Sequence, residues 1–177
     1  KSDETAAFNQ AVRNPYSVIP ALPGDMTGSV ENWKKTAQLF NQIAAKLRTQ
    51  GMYLGYHNHT EEFVPLEDGT VPWDILFSTV ADDVIMQVDT GNVLCSGHAE
   101  PAGIVRRYPG RSTIIHMEPY SLSDGYDVVI GKDDVNWPEV VKACEEAGGT
   151  KYFTLEYENQ NVDEIAQCTQ ALIAMLQ

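Results

Sequence analysis

Short apolar runs alternate with amphipathic stretches along this chain. Five runs read as strands: 16–22, 52–57, 84–89, 113–116 and 152–156. Between them, apolar positions recur at helical spacing. The clearest case starts at Ser29, a good capping residue, and runs to about Gln50. Trp33, Ala37, Phe40, Ile43, Ala44 and Leu47 mark its buried stripe, and Gly51 suits the left-handed residue after its end. Shorter helices are predicted over 2–12, with Ser2 as cap, over 73–80, and from Pro101 to Tyr108. Asn136 with Glu139, and Asn161 with Glu164, open two more. The last should bury Ile165, Cys168, Leu172, Ile173 and Leu176. A long irregular segment, 118–135, separates the fourth strand from its helix, and loops of that length are often functional.

Strict alternation of apolar strands and helices predicts parallel strands with right-handed crossovers. An open doubly wound sheet and a barrel both satisfy this. The polar residues separate them. Four successive runs end in ligand-type side chains: His57 with His59, Asp89, His116 and Glu156. An open sheet gathers its site at one switch point, whereas a barrel brings all strand ends to one centre. The pattern therefore predicts an α/β fold of the eight-fold (β/α) TIM barrel type. Five units in 177 residues match the repeat but not the closure, because a complete barrel takes about 250 residues. The expectation is one partial barrel domain over 1–177 lacking its N-terminal units, completed by a preceding segment or by another chain, with a homo-oligomer as one form of the latter.

Charge narrows the partners. The net charge is −13, which repels a nucleic-acid backbone or an anionic membrane. A small neutral sugar or polyol, or a ligand held through a cation, fits better. No run approaches the ~20 apolar residues of a spanning helix. The three cysteines, Cys95, Cys144 and Cys168, lack C-x-x-C spacing and read as free thiols. A cytoplasmic protein is expected, with periplasmic or secreted locations left open by a chain that begins at Lys1 without methionine.

Asp89, His116 and Glu156 are ligand types that suit one divalent ion, Mn, Mg or Zn. Each also has a plain reading. A strand-end aspartate commonly caps the next helix, and a histidine can be a satisfied core residue. Glu156 follows an apolar residue and is harder to dismiss, since glutamate is rarely buried unpaired. Glu158 repeats the carboxylate on the same face by alternation.

The segments His57-Asn58-His59, Val88-Asp89-Thr90-Gly91-Asn92, Ile115-His116-Met117-Glu118 and Leu155-Glu156 resemble the xylose isomerase-like barrels, specifically the sugar phosphate isomerase/epimerase group. That group typically carries HNH-x-x-EF, LD, LH-x-K-D and VEQ segments in this order. Tyr108-Pro109-Gly110-Arg111 and Asn136-Trp137 match as well. The resemblance implies one divalent metal at the carboxyl end of the barrel, held by Asp89, His116, Glu156 and a first ligand that is either His57 or a carboxylate of Glu61 or Glu62. It implies proton transfer alpha to a sugar carbonyl through an enediolate. Glu156 is expected as the base, with Glu62 or Glu61 opposite it, and His59 as carrier of a hydroxyl proton. His57, Asn58, Asn92, Glu118 and Glu158 are the expected substrate contacts. Where relatives carry lysine two residues after the ligand histidine, this chain has Glu118, which disfavours a phosphorylated or acidic substrate. A metal-dependent keto-sugar glycoside lyase or dehydratase is the rival enzyme, and an inactive sugar-binding barrel fragment is the non-enzymatic alternative. A barrel endonuclease would need more histidines and a basic groove.

Overall fold

The computed structural model describes residues 2–177, with side chains from Glu4 onward, so the capping role expected of the Ser2 side chain lies outside the described residues. The elements are α1 (Ser2–Ala11), β1 (Tyr16–Ile19), α2 (Val30–Arg48), β2 (Tyr53–His57), α3 (Pro72–Phe77), β3 (Ile85–Asp89), α4 (Thr90–Cys95), α5 (Pro101–Arg107), β4 (Ile114–Met117), α6 (Trp137–Ala143), β5 (Tyr152–Leu155) and α7 (Val162–Met175). A 3-10 turn, Gly24–Met26, precedes α2, and a π-helical turn, Cys144–Gly148, ends α6.

The five strands pair in sequence order, every pair parallel. They form a half-barrel, an incomplete α/β barrel, as the alternation predicts. Its curvature is visible at the amino ends. The rings of Tyr16 on edge strand β1 and Tyr152 on edge strand β5 meet edge-on at 5.7 Å. Two strands at opposite edges of a flat sheet could not touch in this way. Tyr16, Tyr53 and Tyr152 thus line the amino-terminal end of the trough, and the strand tips line the other.

The outward face of the sheet carries the core. Leu54 and Tyr56 of β2 are buried on the side covered by α2, and Met86 and Val88 of β3 on the side covered by α5. Tyr56 sits among Trp33, Phe40 and Trp73, with centroid distances of 6.5, 5.6 and 6.2 Å. Ser29 caps α2 through its side chain, which accepts from Asn32 N at 3.1 Å. All six predicted positions of the α2 stripe are buried except Ile43, which packs at the core's edge.

Three expectations change. The first strand stops at Ile19, short of Leu22, because Pro20 cannot donate to the ladder. Helix α4 lies where no helix was predicted. Helix α7 buries Cys168 and Leu172 but leaves Ile165, Ile173 and Leu176 exposed, since it packs beside an edge strand and only one stripe is covered. Among the described residues no helix is long and apolar enough to cross a membrane.

Candidate metal centre

Alternation along β2 points Tyr53, Gly55 and His57 into the trough and sends Leu54 and Tyr56 outward. The same rule points Gln87 and Asp89 of β3, His116 of β4 and Glu156, just past β5, into it. The result is one cluster: His57, Asp89, His116 and Glu156 each offer a ligand atom, and these atoms all lie within 4.8 Å of one another. Glu156 Oε2 pairs with His116 Nδ1. The His57 ring lies 4.9 Å from that of His116 and 5.1 Å from that of His59.

Several of these groups are poorly satisfied by protein alone. His57 Nδ1, Asp89 Oδ2 and Glu118 Oε2 are buried without a hydrogen-bond partner. Buried polar atoms are normally paired, so these three orphans mark a place built for something else. Burial pushes the His57 imidazole down to about 4, so it is a neutral, ligating ring at neutral pH. Burial and the neighbouring Glu118 carboxyl push Asp89 well above the usual carboxylate range. Burial and the carboxylates of Glu156 and Glu158 push Glu118 up to about 7. The His116 partner holds Glu156 below its usual range. Two imidazoles and two carboxylates fit a divalent ion such as Mn, Mg or Zn.

Asp89 does two jobs. Its Oδ1 accepts from Asn92 N at 2.7 Å and caps α4, while Oδ2 stays free for the cluster. The capping role therefore leaves one carboxylate oxygen unspent and does not compete with a ligand role.

The supporting residues differ from those expected. Asn58 is fully buried and its amide is spent on the Asp89 backbone: Oδ1 accepts from Asp89 N at 2.9 Å and Nδ2 donates to Asp89 O at 3.4 Å. It fixes the Asp89 backbone and is not free for substrate. Asn92 is similarly engaged, donating to Asn58 O at 3.4 Å and accepting from the Tyr126 hydroxyl at 2.7 Å. Tyr126 belongs to the long 118–135 segment, which thereby folds back over α4.

Glu62 also stands elsewhere. Its Oε1 accepts from the Tyr56 hydroxyl, and its Oε2 accepts from His59 N at 2.8 Å. Tyr56 points out of the trough, so Glu62 is drawn behind β2 and does not reach the four-group cluster. His59, Glu61 and Glu62 do form a separate trio with ligand atoms within 4.8 Å, but both Glu62 oxygens already accept hydrogen bonds. Of the three candidates for the first ligand, His57 is the one that joins Asp89, His116 and Glu156.

Glu118 is locked beneath the cluster. Thr90 Oγ1 donates to Glu118 O at 2.8 Å and accepts from Glu118 N at 2.9 Å. Its side chain lies over Gly91, where an added Cβ would sit 2.7 Å from Glu118 Oε2 and 2.9 Å from Cγ. Gly91→Ala should therefore displace the buried Glu118 side chain, at a cost of about 1–3 kcal/mol. At this chain size the melting temperature should fall by roughly 2–12 °C, read by calorimetry. An unchanged melting temperature would show that Glu118 moves freely.

Thr90, Gly91 and Tyr126 carry roles that the sequence alone does not assign, and Gln87 lines the trough beside them. Gln87 was readable in principle, because it is two residues before Asp89 on the same face; it pairs in register with His57. Cys95, half-buried, lies among the hydroxyls of Thr60, Tyr120 and Tyr126, and all three cysteines are free thiols.

The family model for xylose isomerase-like TIM barrels matches residues 4–177. The chain belongs to that family. No curated protein matches it significantly by sequence. Among solved structures it is similar to a sugar phosphate isomerase/epimerase from Parabacteroides distasonis, with TM-score 0.82 and 19% identity over 99% of this chain and 61% of that one. A probable 3-DHS dehydratase, AsbF, from Bacillus anthracis matches with TM-score 0.76 and 14% identity over 97% of this chain and 68% of that one. The IolI protein, with a bound zinc atom, matches with TM-score 0.75 and 15% identity over 99% of this chain and 67% of that one. At these identities the likeness is one of fold. The chain spans about three fifths of the first of these structures.

Proposed function

We propose that His57, Asp89, His116 and Glu156 hold one divalent metal ion and that the chain belongs to a sugar isomerase or epimerase. The observation that carries this reading is the convergence of two imidazoles and two carboxylates from four successive strand tips, with two of their buried atoms lacking any partner. When bound, the ion supplies Lewis acidity toward a carbonyl and its neighbouring hydroxyl. The remaining work falls to the chain. Glu156 projects into the trough with its carboxylate held by His116, placed to take a proton alpha to a carbonyl and return it. His59, at the lip beside His57, is placed to carry a hydroxyl proton. Glu118 and Glu158 flank Glu156. Glu62, with both oxygens engaged, is left a structural role, and Asn58 and Asn92 position Asp89 and α4. Substrate contacts then fall to His59 and Glu158, since His57 is assigned to the ion and Glu118 is buried beneath the cluster.

The carboxyl-rich trough favours a neutral sugar or polyol over a phosphorylated one. Among the described residues, the charged groups that act most on Asp89, Glu118 and Glu156 are carboxyls and histidines, with no lysine or arginine beside them. A second reading, a dehydratase or glycoside lyase, is favoured by the carboxyls beside Glu156, since one could protonate a leaving oxygen. A panel of neutral keto- and aldo-sugars, assayed with Mn and after chelation, tests both. Proton exchange or isomerisation that is lost on chelation and restored by Mn supports the first reading, and elimination supports the second. Turnover indifferent to chelation would sink both.

A further inference from the structure

The 118–135 segment is a braced loop with a fixed base. Ser121 and Gly125 exchange two backbone hydrogen bonds, both 2.8 Å, and Leu122 N donates to Asp134 Oδ2 at 2.7 Å. The rings of Tyr120 and Tyr126 meet edge-on at 4.9 Å. At its base Val129 and Ile130 are buried in the core, and Ile130 N donates to Cys168 Sγ of α7 at 3.4 Å. A segment tied at so many points can serve as a fixed support for its neighbours.

Two adjacent residues of this loop reach toward two different strand tips. The Tyr126 hydroxyl donates to Asn92 Oδ1 at 2.7 Å, and Asn92 N donates in turn to Asp89 Oδ1 at 2.7 Å. Asp127 Oδ1 accepts from Asn159 Nδ2 at 2.7 Å, on the chain that follows Glu156. Strands β3 and β5 are not neighbours, because β4 lies between them. Strand pairing alone holds Glu156 weakly. The register ends at Met117 and Leu155, and the bond from Glu156 N to Met117 O is 3.3 Å. Strand β5 is also an edge strand, paired on one side. The Asp127–Asn159 bond joins the chain past Glu156 to the braced loop.

We propose that Tyr126 and Asp127 are positioning residues that brace the tips of β3 and β5 and so set the spacing of the Asp89 and Glu156 carboxylates. Neither belongs to the four-group cluster. Tyr126 acts through Asn92, whose N–H orients the Asp89 carboxylate and whose side-chain amide donates to Asn58 O at 3.4 Å. Asp127 acts through Asn159. Hydrogen bonds that orient ligands from behind are commonly worth about 10–100-fold in metal affinity. Bonds as exposed as that of Asp127 add little to global stability. Affinity and stability should therefore separate. The inference rests on the proposed metal site, because it concerns the placement of two of its ligands.

The test is calorimetric titration with Mn, paired with a thermal melt of the metal-free protein. Tyr126→Phe removes one hydroxyl and keeps the ring against Tyr120, so Mn affinity should fall about 10-fold while the metal-free melting temperature stays near that of the parent. Asn92→Ala keeps the backbone N–H that Asp89 accepts, and in that background Tyr126→Phe should have no further effect. Asp127→Ala should also weaken Mn binding about 10-fold. Asp127→Asn keeps an acceptor for Asn159 and should bind as the parent does, which separates the hydrogen bond from the charge. Parent-like affinity in either Tyr126→Phe or Asp127→Ala would overturn the brace and leave the metal site standing. Losses that simply add with Asn92→Ala, a loss in Asp127→Asn equal to that in Asp127→Ala, or a matching loss of metal-free stability would overturn it too. A parent protein that binds no Mn would overturn the metal site and the brace with it.

Discussion

Asp89→Asn should lower divalent-metal affinity by more than about 100-fold, beyond the 10–100-fold typical of a residue that merely supports a ligand. The same change should leave the metal-free protein folded and somewhat more stable. Asparagine keeps the Oδ1 that caps α4, and it is as good a cap as aspartate. The orphaned, buried Oδ2 becomes an amide that can donate to the Glu118 carboxyl it faces. A carboxyl pair that must hold a proton is thus replaced by an amide–carboxylate hydrogen bond that needs none, so the gain in metal-free stability should grow as pH rises. Calorimetric titration with Mn and a thermal melt without it, on the same sample, read the two effects separately. Parent-like metal affinity would remove Asp89 from the ligand set. A large loss of metal-free stability would show that Asp89 is a structural residue whose negative charge the fold needs.

Arg111→Ala should be among the most damaging substitutions outside the site. The guanidinium is buried and donates to three carbonyls: Phe77 O at 2.8 Å, Ala81 O at 2.8 Å and Val84 O at 3.1 Å. It also lies 5.0 Å from the Phe77 ring centroid. Its own carbonyl accepts from Met86 N at 2.8 Å. One side chain therefore ties the end of α3 to the start of β3, whose far end delivers Asp89. Removal leaves several carbonyls facing a cavity, at a cost of about 3–5 kcal/mol. The melting temperature should drop by roughly 6–20 °C. Arg107→Ala is the control. Its exposed pair with Asp74 should be worth less than about 1 kcal/mol. Equal effects from the two substitutions would contradict the buried role.

The half-barrel and its strand tips were legible because one rule governs both. Alternation sets which side of a strand each residue faces, so His57, Asp89, His116 and Glu156 fall into one trough once the strands are placed. What alternation cannot reach is the path of the chain after a strand ends. Glu61 and Glu62 follow His57 closely and look equivalent in sequence. Only the outward-facing Tyr56 hydroxyl, which captures Glu62, separates them. The histidine-asparagine-histidine segment reads as three polar site groups, yet its middle member is spent on backbone. That use depends on β3 lying alongside β2, a contact 31 residues away in sequence.

Helix α4 was illegible for a different reason. Thr90-Gly91-Asn92-Val93-Leu94-Cys95 is short, contains glycine and two β-branched residues, and has poor intrinsic propensity. It forms because Asp89 caps it, a local signal, and because Thr90 grips Glu118, a tertiary condition. Gly91 looks like a helix breaker until Glu118 is seen packed against it. The predicted final helix errs in the other direction: its apolar face is real, but periodicity does not say how much of that face finds a partner.

The proposed metal site requires the four strand-tip groups to act together. A crystal grown with Mn and measured for its anomalous signal tests this most directly. The predicted result is a peak bounded by His57, Asp89, His116 and Glu156, at about 2.0–2.3 Å from their ligand atoms. A peak held instead by His59, Glu61 and Glu62, or no peak at the strand tips under saturating Mn, would contradict it.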